Sequence, residues 1–164
     1  IRTIPNWPKE GIMFRDVTTL FKDPKGLNFT INEFVNKYKD EKIDIVVGIE
    51  ARGFILGGVL AKELGVGFVP IRKKGRLPYD TLEESYALEY GENTIEIHKD
   101  AIREGQKVLL IDDLLATGGT MAAAVNLVEN LGGEIVACQF LIELSFLNGC
   151  EKPGDKKILN LIEY

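Results

Sequence analysis

The chain is poor in the residues that build metal and disulfide sites. It carries two cysteines, Cys138 and Cys150, and a single histidine, His98, among 164 residues. A zinc site of Cys and His ligands cannot be assembled from that inventory, and no Cys-x-x-Cys pair is present. Cys138 lies in an apolar run and reads as core, which suits a reduced, cytoplasmic protein. No apolar run approaches the ~18 residues of a membrane-spanning helix, so no membrane partner is expected. The opening Ile-Arg-Thr-Ile-Pro is no charged-then-apolar leader. It also lacks an initiator Met, so the N-terminus reads as truncated, with residues 1–9 part of an interrupted element. A basic excess is missing too: 20 Lys and Arg stand against 25 Asp and Glu, a formal net charge of −5. A general nucleic-acid binder is excluded on that balance.

What is present is a globular composition, 45% hydrophobic and 27% charged. The length suits one domain, 1–164, around one core. The charge is uneven: Arg72, Lys73, Lys74 and Arg76 cluster in Ile71-Arg-Lys-Lys-Gly-Arg-Leu77 with no acid among them. A basic loop on an acidic protein suits a small anion.

Apolar residues at three- and four-residue spacing (Leu27, Ile31, Phe34, Val35, Tyr38) predict a helix over 27–38. The β-branched run 43–49 predicts a buried strand. A helix over 54–64 follows, stopped by Gly65, then a strand over 66–71. Two alternating runs around Gly91-Glu-Asn93 predict a hairpin over 84–98. Further strands are expected at 107–111, 135–144 and 157–162, with a helix over 120–131. This alternation implies βαβ units and a mainly parallel twisted sheet flanked by helices. Ligands of such sheets bind at the carboxyl ends of the strands, so the loops after Ile49, Ile71 and Ile111 should meet at one edge.

The loop after Ile111 is the most informative. An apolar strand delivers adjacent carboxylates, Asp112 and Asp113, to the sheet edge. Leu114-Leu-Ala-Thr-Gly-Gly-Thr120 then opens a helix. Free N–H groups at a helix start hold phosphate, glycines let the backbone approach, and Thr117 and Thr120 add hydroxyl donors. Carboxylates repel phosphate but accept hydrogen bonds from neighbouring sugar hydroxyls. The combination reads as a ribose 5-phosphate site. It is neither a Walker A loop nor a dinucleotide-binding glycine motif.

This segment resembles the ribosyl-phosphate signature of type I phosphoribosyltransferases, which use 5-phosphoribosyl-1-pyrophosphate (PRPP). Gly11–Asp16, Glu50–Phe54, Ile71–Pro78 and Ser85–Gly91 match the adenine-specific branch in the same order. The resemblance implies that fold, a homodimer, and Mg²⁺ carried on PRPP rather than held directly by the protein. It implies transfer of phosphoribose to adenine, giving AMP and pyrophosphate in purine salvage. Ala116, Thr117, Gly118, Gly119 and Thr120 would bind the 5′-phosphate, and Asp112 and Asp113 the ribose. Ala51, Arg52, Arg72 and Lys73 would hold pyrophosphate, in a turn where the family commonly has a non-proline cis peptide. Phe14 and Leu114 would sandwich adenine, with backbone groups near Met13 and Arg15 reading its edge. Residues 1–20 would form the base-binding hood, and 72–98 a flexible loop and hairpin lid.

Glu89 matches the family's glutamate at N7 of the base and, with Arg52, is the expected catalytic residue. Glu83, Glu84, Glu92 and Glu96 read as solvated, His98 as non-catalytic, and Trp7 as packed near the N-terminus. Glu10 stands where many members have proline. Two other readings share the fold: transfer to hypoxanthine, guanine or xanthine, and a non-catalytic sensor of PRPP or nucleotide. A DNA-binding version of the latter would need a helix-turn-helix and a basic surface that no segment supplies.

Overall fold

The computed structural model describes residues 1–88 and 91–164. Strands β1 (Arg2–Pro5) and β2 (Met13–Asp16) form an antiparallel ribbon separate from the main sheet. Asp16 anchors its base. The Thr18 hydroxyl, then the Arg2 guanidinium and the Thr18 amide, hold its carboxyl down at about 2. A short helix α1 (Thr18–Lys22) follows, too brief to show a period. Helix α2 (Pro24–Tyr38) begins earlier than its apolar spacing predicts. Asp23 caps it by accepting from Lys25 N–H, and Pro24 takes the first turn, where no amide partner is needed.

The βαβ core then unfolds in order: β3 (Ile45–Ile49), α3 (Arg52–Leu64), β4 (Gly67–Lys73), β5 (Thr81–Ala87), β6 (Glu92–His98), β7 (Lys107–Leu115), α4 (Gly119–Asn130) and β8 (Glu134–Glu143). Two 3₁₀ turns and the short strands β9 (Ile158–Leu159) and β10 (Ile162–Glu163) complete the described chain. The sheet runs β10-β8-β7-β3-β4-β6-β5, with β9 also on β8. From β10 to β4 the pairing is parallel; β6 and β5 are antiparallel. The predicted hairpin is there, pairing Thr81↔His98 through Ala87↔Glu92.

Both faces of the parallel strands are covered, which is why they read as unbroken apolar runs. Successive residues alternate between two cores. Val47 and Leu110 pack with Val125, Leu127 and Val128 of α4 on one face. Val46 and Leu109 pack with Phe34 of α2 and Leu56 and Leu60 of α3 on the other.

Two strand expectations need correction. Strand β7 does not end at Ile111 but continues to Leu115, because Asp112, Leu114 and Leu115 go on pairing with Phe140, Ile142 and Glu143 of β8. The single strand expected at 157–162 is two short pieces that touch β8 at separate points, Cys138–Gln139 and Ile142–Glu143. The buried Gln139 amide takes up the slack between them, donating to the carbonyls of Phe140 and Leu159. Among the described residues no helix is long and apolar enough to cross a membrane.

Candidate active site

The carboxyl ends of β3, β4 and β7 meet at one edge, where two clefts share Asp112 and Thr120. The first, of about 80 Å³, is lined by Asp112, Phe140 and the run from Leu114 to Met121. Its floor is the turn into α4. Gly118 sits there at φ +78°, a left-handed conformation that a side chain resists. A Cβ at Gly118 would also fall 2.1 Å from the Gly149 carbonyl oxygen. The turn after β8 therefore packs backbone against backbone under the loop, a support that the sequence reading missed. All five residues expected at the 5′-phosphate (Ala116, Thr117, Gly118, Gly119 and Thr120) line this cleft, with Leu114 beside them.

The second cleft, of about 190 Å³, lies between β3, β4, β6 and β7. It is lined by Ile49, Glu50, Ile71, Arg72, Lys73, Tyr86, Ile95, Asp112 and Thr120. The Glu50–Ala51 peptide at its rim is cis, as the resemblance implied. Gly53 lets the start of α3 come close to β7. A Cβ there would stand 2.9 Å from the Ile111 carbonyl and 3.1 Å from Asp112 Oδ1.

The two strand carboxylates have different surroundings. Asp113 is 3% exposed and accepts from Arg52 Nε at 2.6 Å. Asp112 faces both clefts. Its burial, and then the negative charge of Asp113, push its carboxyl well above the ordinary aspartate range. Arg52 and Asp113, assigned to different parts of the ligand in the sequence reading, are thus bonded to one another.

The basic loop is less bare in space than in sequence. Arg72 donates through Nε and Nη2 to the two oxygens of Glu50, each at 3.2 Å, and Lys73 N–H donates to Glu50 at 3.1 Å. Lys74 pairs with Glu83 at 2.7 Å. Glu96 overturns its solvated reading: it is 2% exposed and accepts from the Arg76 and Leu77 amides, each at 2.7 Å. The loop folds back over the end of β6 and covers it. Glu84 is half-buried and accepts from Asn126, whereas Glu92 is exposed.

On the other side, the Phe14 ring packs edge-on against Trp7, with centroids 4.4 Å apart, and the Arg52 guanidinium carbon lies 5.7 Å from its centroid. Met13 is exposed. The Arg15 side chain is spent elsewhere: it stacks on Tyr164 at 3.8 Å and donates to Thr3. Its Nε is buried, with no hydrogen-bond partner among the described residues. Glu89 lies outside the described residues. Strand β5 meets the start of α4, where the Thr120 hydroxyl donates to Tyr86 Oη at 2.9 Å. Tyr86 and Glu50 were not singled out in the sequence; each was a plain member of a matching stretch. His98 sits at the far end of β6, away from both clefts. Among the described residues no three His, Cys, Asp or Glu side chains gather as a metal site.

A family model of the phosphoribosyl transferase domain matches residues 19–163. The chain belongs to the phosphoribosyltransferase family. It is 55% identical over 164 residues to the adenine phosphoribosyltransferase of Desulfosudis oleivorans, covering 100% of this chain and 95% of that one. Among solved structures of the family, the adenine phosphoribosyltransferase of Thermoanaerobacter pseudethanolicus superposes with a TM-score of 0.97. It is 50% identical, covering 100% of this chain and 95% of its own. The Saccharomyces cerevisiae adenine phosphoribosyltransferase, complexed with adenine and an imino-altritol bisphosphate, gives a TM-score of 0.92 at 41% identity. The match covers 97% of this chain and 92% of that one. The type I phosphoribosyltransferase fold read from the sequence is the fold observed.

Proposed function

We infer that the chain transfers the 5-phosphoribosyl group of PRPP to adenine, giving AMP and pyrophosphate, a purine-salvage step. One observation carries this reading. A glycine-built phosphate loop and a cation-lined cleft are continuous through the carboxylate of Asp112, in a chain that shares half or more of its residues with enzymes of that name.

In this reading the loop from Ala116 to Thr120 holds the 5′-phosphate with backbone amides and hydroxyls. Asp112 accepts from the ribose hydroxyls, with Asp113 behind it. Ala51, Arg52, Arg72 and Lys73 hold the pyrophosphate, the arginines through forked donors that match phosphate oxygens. Phe14 stacks on the adenine from the ribbon and Leu114 closes the opposite face. The main chain at Met13 and Arg15 reads the base edge.

The bond from C1 of the ribose to the pyrophosphate oxygen breaks, and the bond from C1 to N9 of adenine forms. C1 gains positive charge in between, so the site works by positioning and electrostatics. The proton of the base is assigned to Glu89, which stabilises it at N7 or takes it. The hairpin serves as a lid that keeps water from C1. Mg²⁺ arriving with PRPP would supply charge neutralisation at the diphosphate, which Arg52, Arg72 and Lys73 would hold.

Residues 1–20 act as the base-binding hood in the same reading, and the chain works as a homodimer. Ile55 and Val59, exposed one turn apart on α3, offer an apolar strip for that association. A cytoplasmic setting suits the two free cysteines.

The reverse reaction tests the proposal. AMP and pyrophosphate with Mg²⁺ should yield adenine and PRPP in equal amounts. Release of adenine without PRPP would make the chain a hydrolase instead. No consumption of AMP would favour a sensor.

A further inference from the structure

Glu50 presents an electrostatic contradiction. Its side chain is 14% exposed and lines the cleft assigned to pyrophosphate. A carboxylate there repels the ligand unless its charge is spent on something else. It is spent fully. Arg72 meets both oxygens through its fork, Lys73 N–H meets one, and Arg76 Nη1 stands at 3.9 Å. Burial works to raise this carboxyl, but the bonds from Arg72 and the Lys73 amide outweigh it and hold the group below its ordinary value. Glu50 is therefore an anion on the wall of an anion site.

The surroundings explain what such a group can do. Arg72 opposes Glu96 across the β4–β6 ladder, and Glu96 fixes the next turn through the Arg76 and Leu77 amides. The backbone on either side of the basic turn is thus tied down by carboxylates. The Arg72 side chain alone would otherwise be free to choose among rotamers, at an entropic cost on each binding event. A guanidinium has more donors than Glu50 uses, and the third nitrogen, Nη1, is held by the Arg76 carbonyl at 3.1 Å. Arg72 is thereby locked flat along the cleft wall before any ligand arrives.

We propose that Glu50 is the positioning residue of the pyrophosphate cleft, presetting the Arg72 guanidinium, which keeps unused N–H donors, for the diphosphate end of PRPP. It touches no substrate atom itself. Its effect is specific to ligands that carry a diphosphate and absent for those that do not. This inference rests on the phosphoribosyl-transfer reading for its ligand, though the cleft can be tested with inorganic pyrophosphate alone.

The experiment compares wild type, Glu50→Gln, Arg72→Gln and the double variant. Calorimetric titration with Mg²⁺–pyrophosphate and with AMP is paired with steady-state kinetics. The account expects Glu50→Gln to weaken pyrophosphate binding, and raise KM for PRPP, by about tenfold, the scale of a lost charge-assisted bond. AMP affinity and the KM for adenine should stay within about twofold, which also shows that the variant is folded. In the Arg72→Gln background the same change should add nothing further, because Glu50 acts through that side chain. Unchanged or tighter pyrophosphate binding in Glu50→Gln would overturn the proposal, as would an equal loss for AMP or full additivity in the double variant. A wild type that binds pyrophosphate but turns over no adenine would refute the proposed reaction and leave the Glu50 result standing on the titrations.

Discussion

Arg52 Nε donates to Asp113 Oδ2 at 2.6 Å, tying the first turn of α3 to the last residues of β7. The two positions are 61 residues apart in sequence. Asp113 is 3% exposed, so it would be costly without this partner. Arg52 keeps 39% of its side chain exposed and has donors to spare for a ligand. The same bond therefore stabilises the end of the sheet and fixes the Arg52 guanidinium at the start of α3.

Arg52→Ala should weaken pyrophosphate and PRPP binding more than AMP binding, measured by titration with each. It should also lower stability by about 1–2 kcal/mol, since Asp113 loses its partner while the exposed guanidinium limits the loss. Thermal melting would register this as a drop of several degrees. Equal losses for all three ligands would contradict the assignment of Arg52 to pyrophosphate.

Asp112 sets stability against function. Burial, then the charge of Asp113, raises its carboxyl in the folded chain. A group whose pKa is raised on folding favours the folded state most below its unfolded value, and that contribution is lost as pH rises through the folded value. Neutral pH lies above the unfolded value, so there the burial of Asp112 is a net cost to stability. Asp112→Asn should therefore raise the melting temperature at neutral pH and lose that advantage in acid, while weakening PRPP binding. Wild-type PRPP affinity should strengthen as pH rises through the elevated Asp112 value, beyond the trend the variant shows. Parallel pH profiles for the two proteins would remove Asp112 from ribose binding.

Gly118→Ala places a methyl 2.1 Å from the Gly149 carbonyl at a left-handed φ of +78°. The strain should cost about 1–3 kcal/mol of stability. It should raise KM for both PRPP and AMP, which share the 5′-phosphate, and leave the affinity for inorganic pyrophosphate unchanged. An unaltered KM for AMP would show that the loop does not hold the phosphate.

Phe14→Ala should raise KM for adenine by about tenfold or more, the scale of one lost base stack, with little change in KM for PRPP. The Trp7 ring would lose its edge contact at 4.4 Å as well, so the ribbon should melt or be cleaved more readily. Unchanged adenine kinetics would return Phe14 to a packing role.

Much of this was legible in the residues because it is local. The apolar runs of β3, β4 and β7, the stop at Gly65 and the hairpin around Gly91 are each decided by neighbours in sequence. So is the turn at Gly118 and Gly119. What escaped is decided by partners far away. Two adjacent aspartates look like the end of a strand. Yet β7 continues through them, because β8 keeps pairing and Arg52 neutralises Asp113. Glu96 looks solvated in an alternating run, yet the basic loop folds over it and supplies amides. Glu50 belonged to a recognised stretch, but its engagement with Arg72 depends on β3 and β4 lying side by side in parallel. The β1–β2 ribbon escaped for a simpler reason, since four-residue strands carry too little pattern.

The central claim is transfer to adenine, and a base panel tests it most directly. The protein would be mixed with Mg²⁺ and PRPP and offered adenine, hypoxanthine, guanine, xanthine and orotate separately, with nucleotide and pyrophosphate measured together. The account predicts AMP and pyrophosphate in equal amounts from adenine, and no product from the others. Turnover of another base would keep the ribosyl-phosphate site and discard the roles of Phe14 and Glu89. No turnover with any base, alongside measurable PRPP binding, would contradict the enzymatic reading itself.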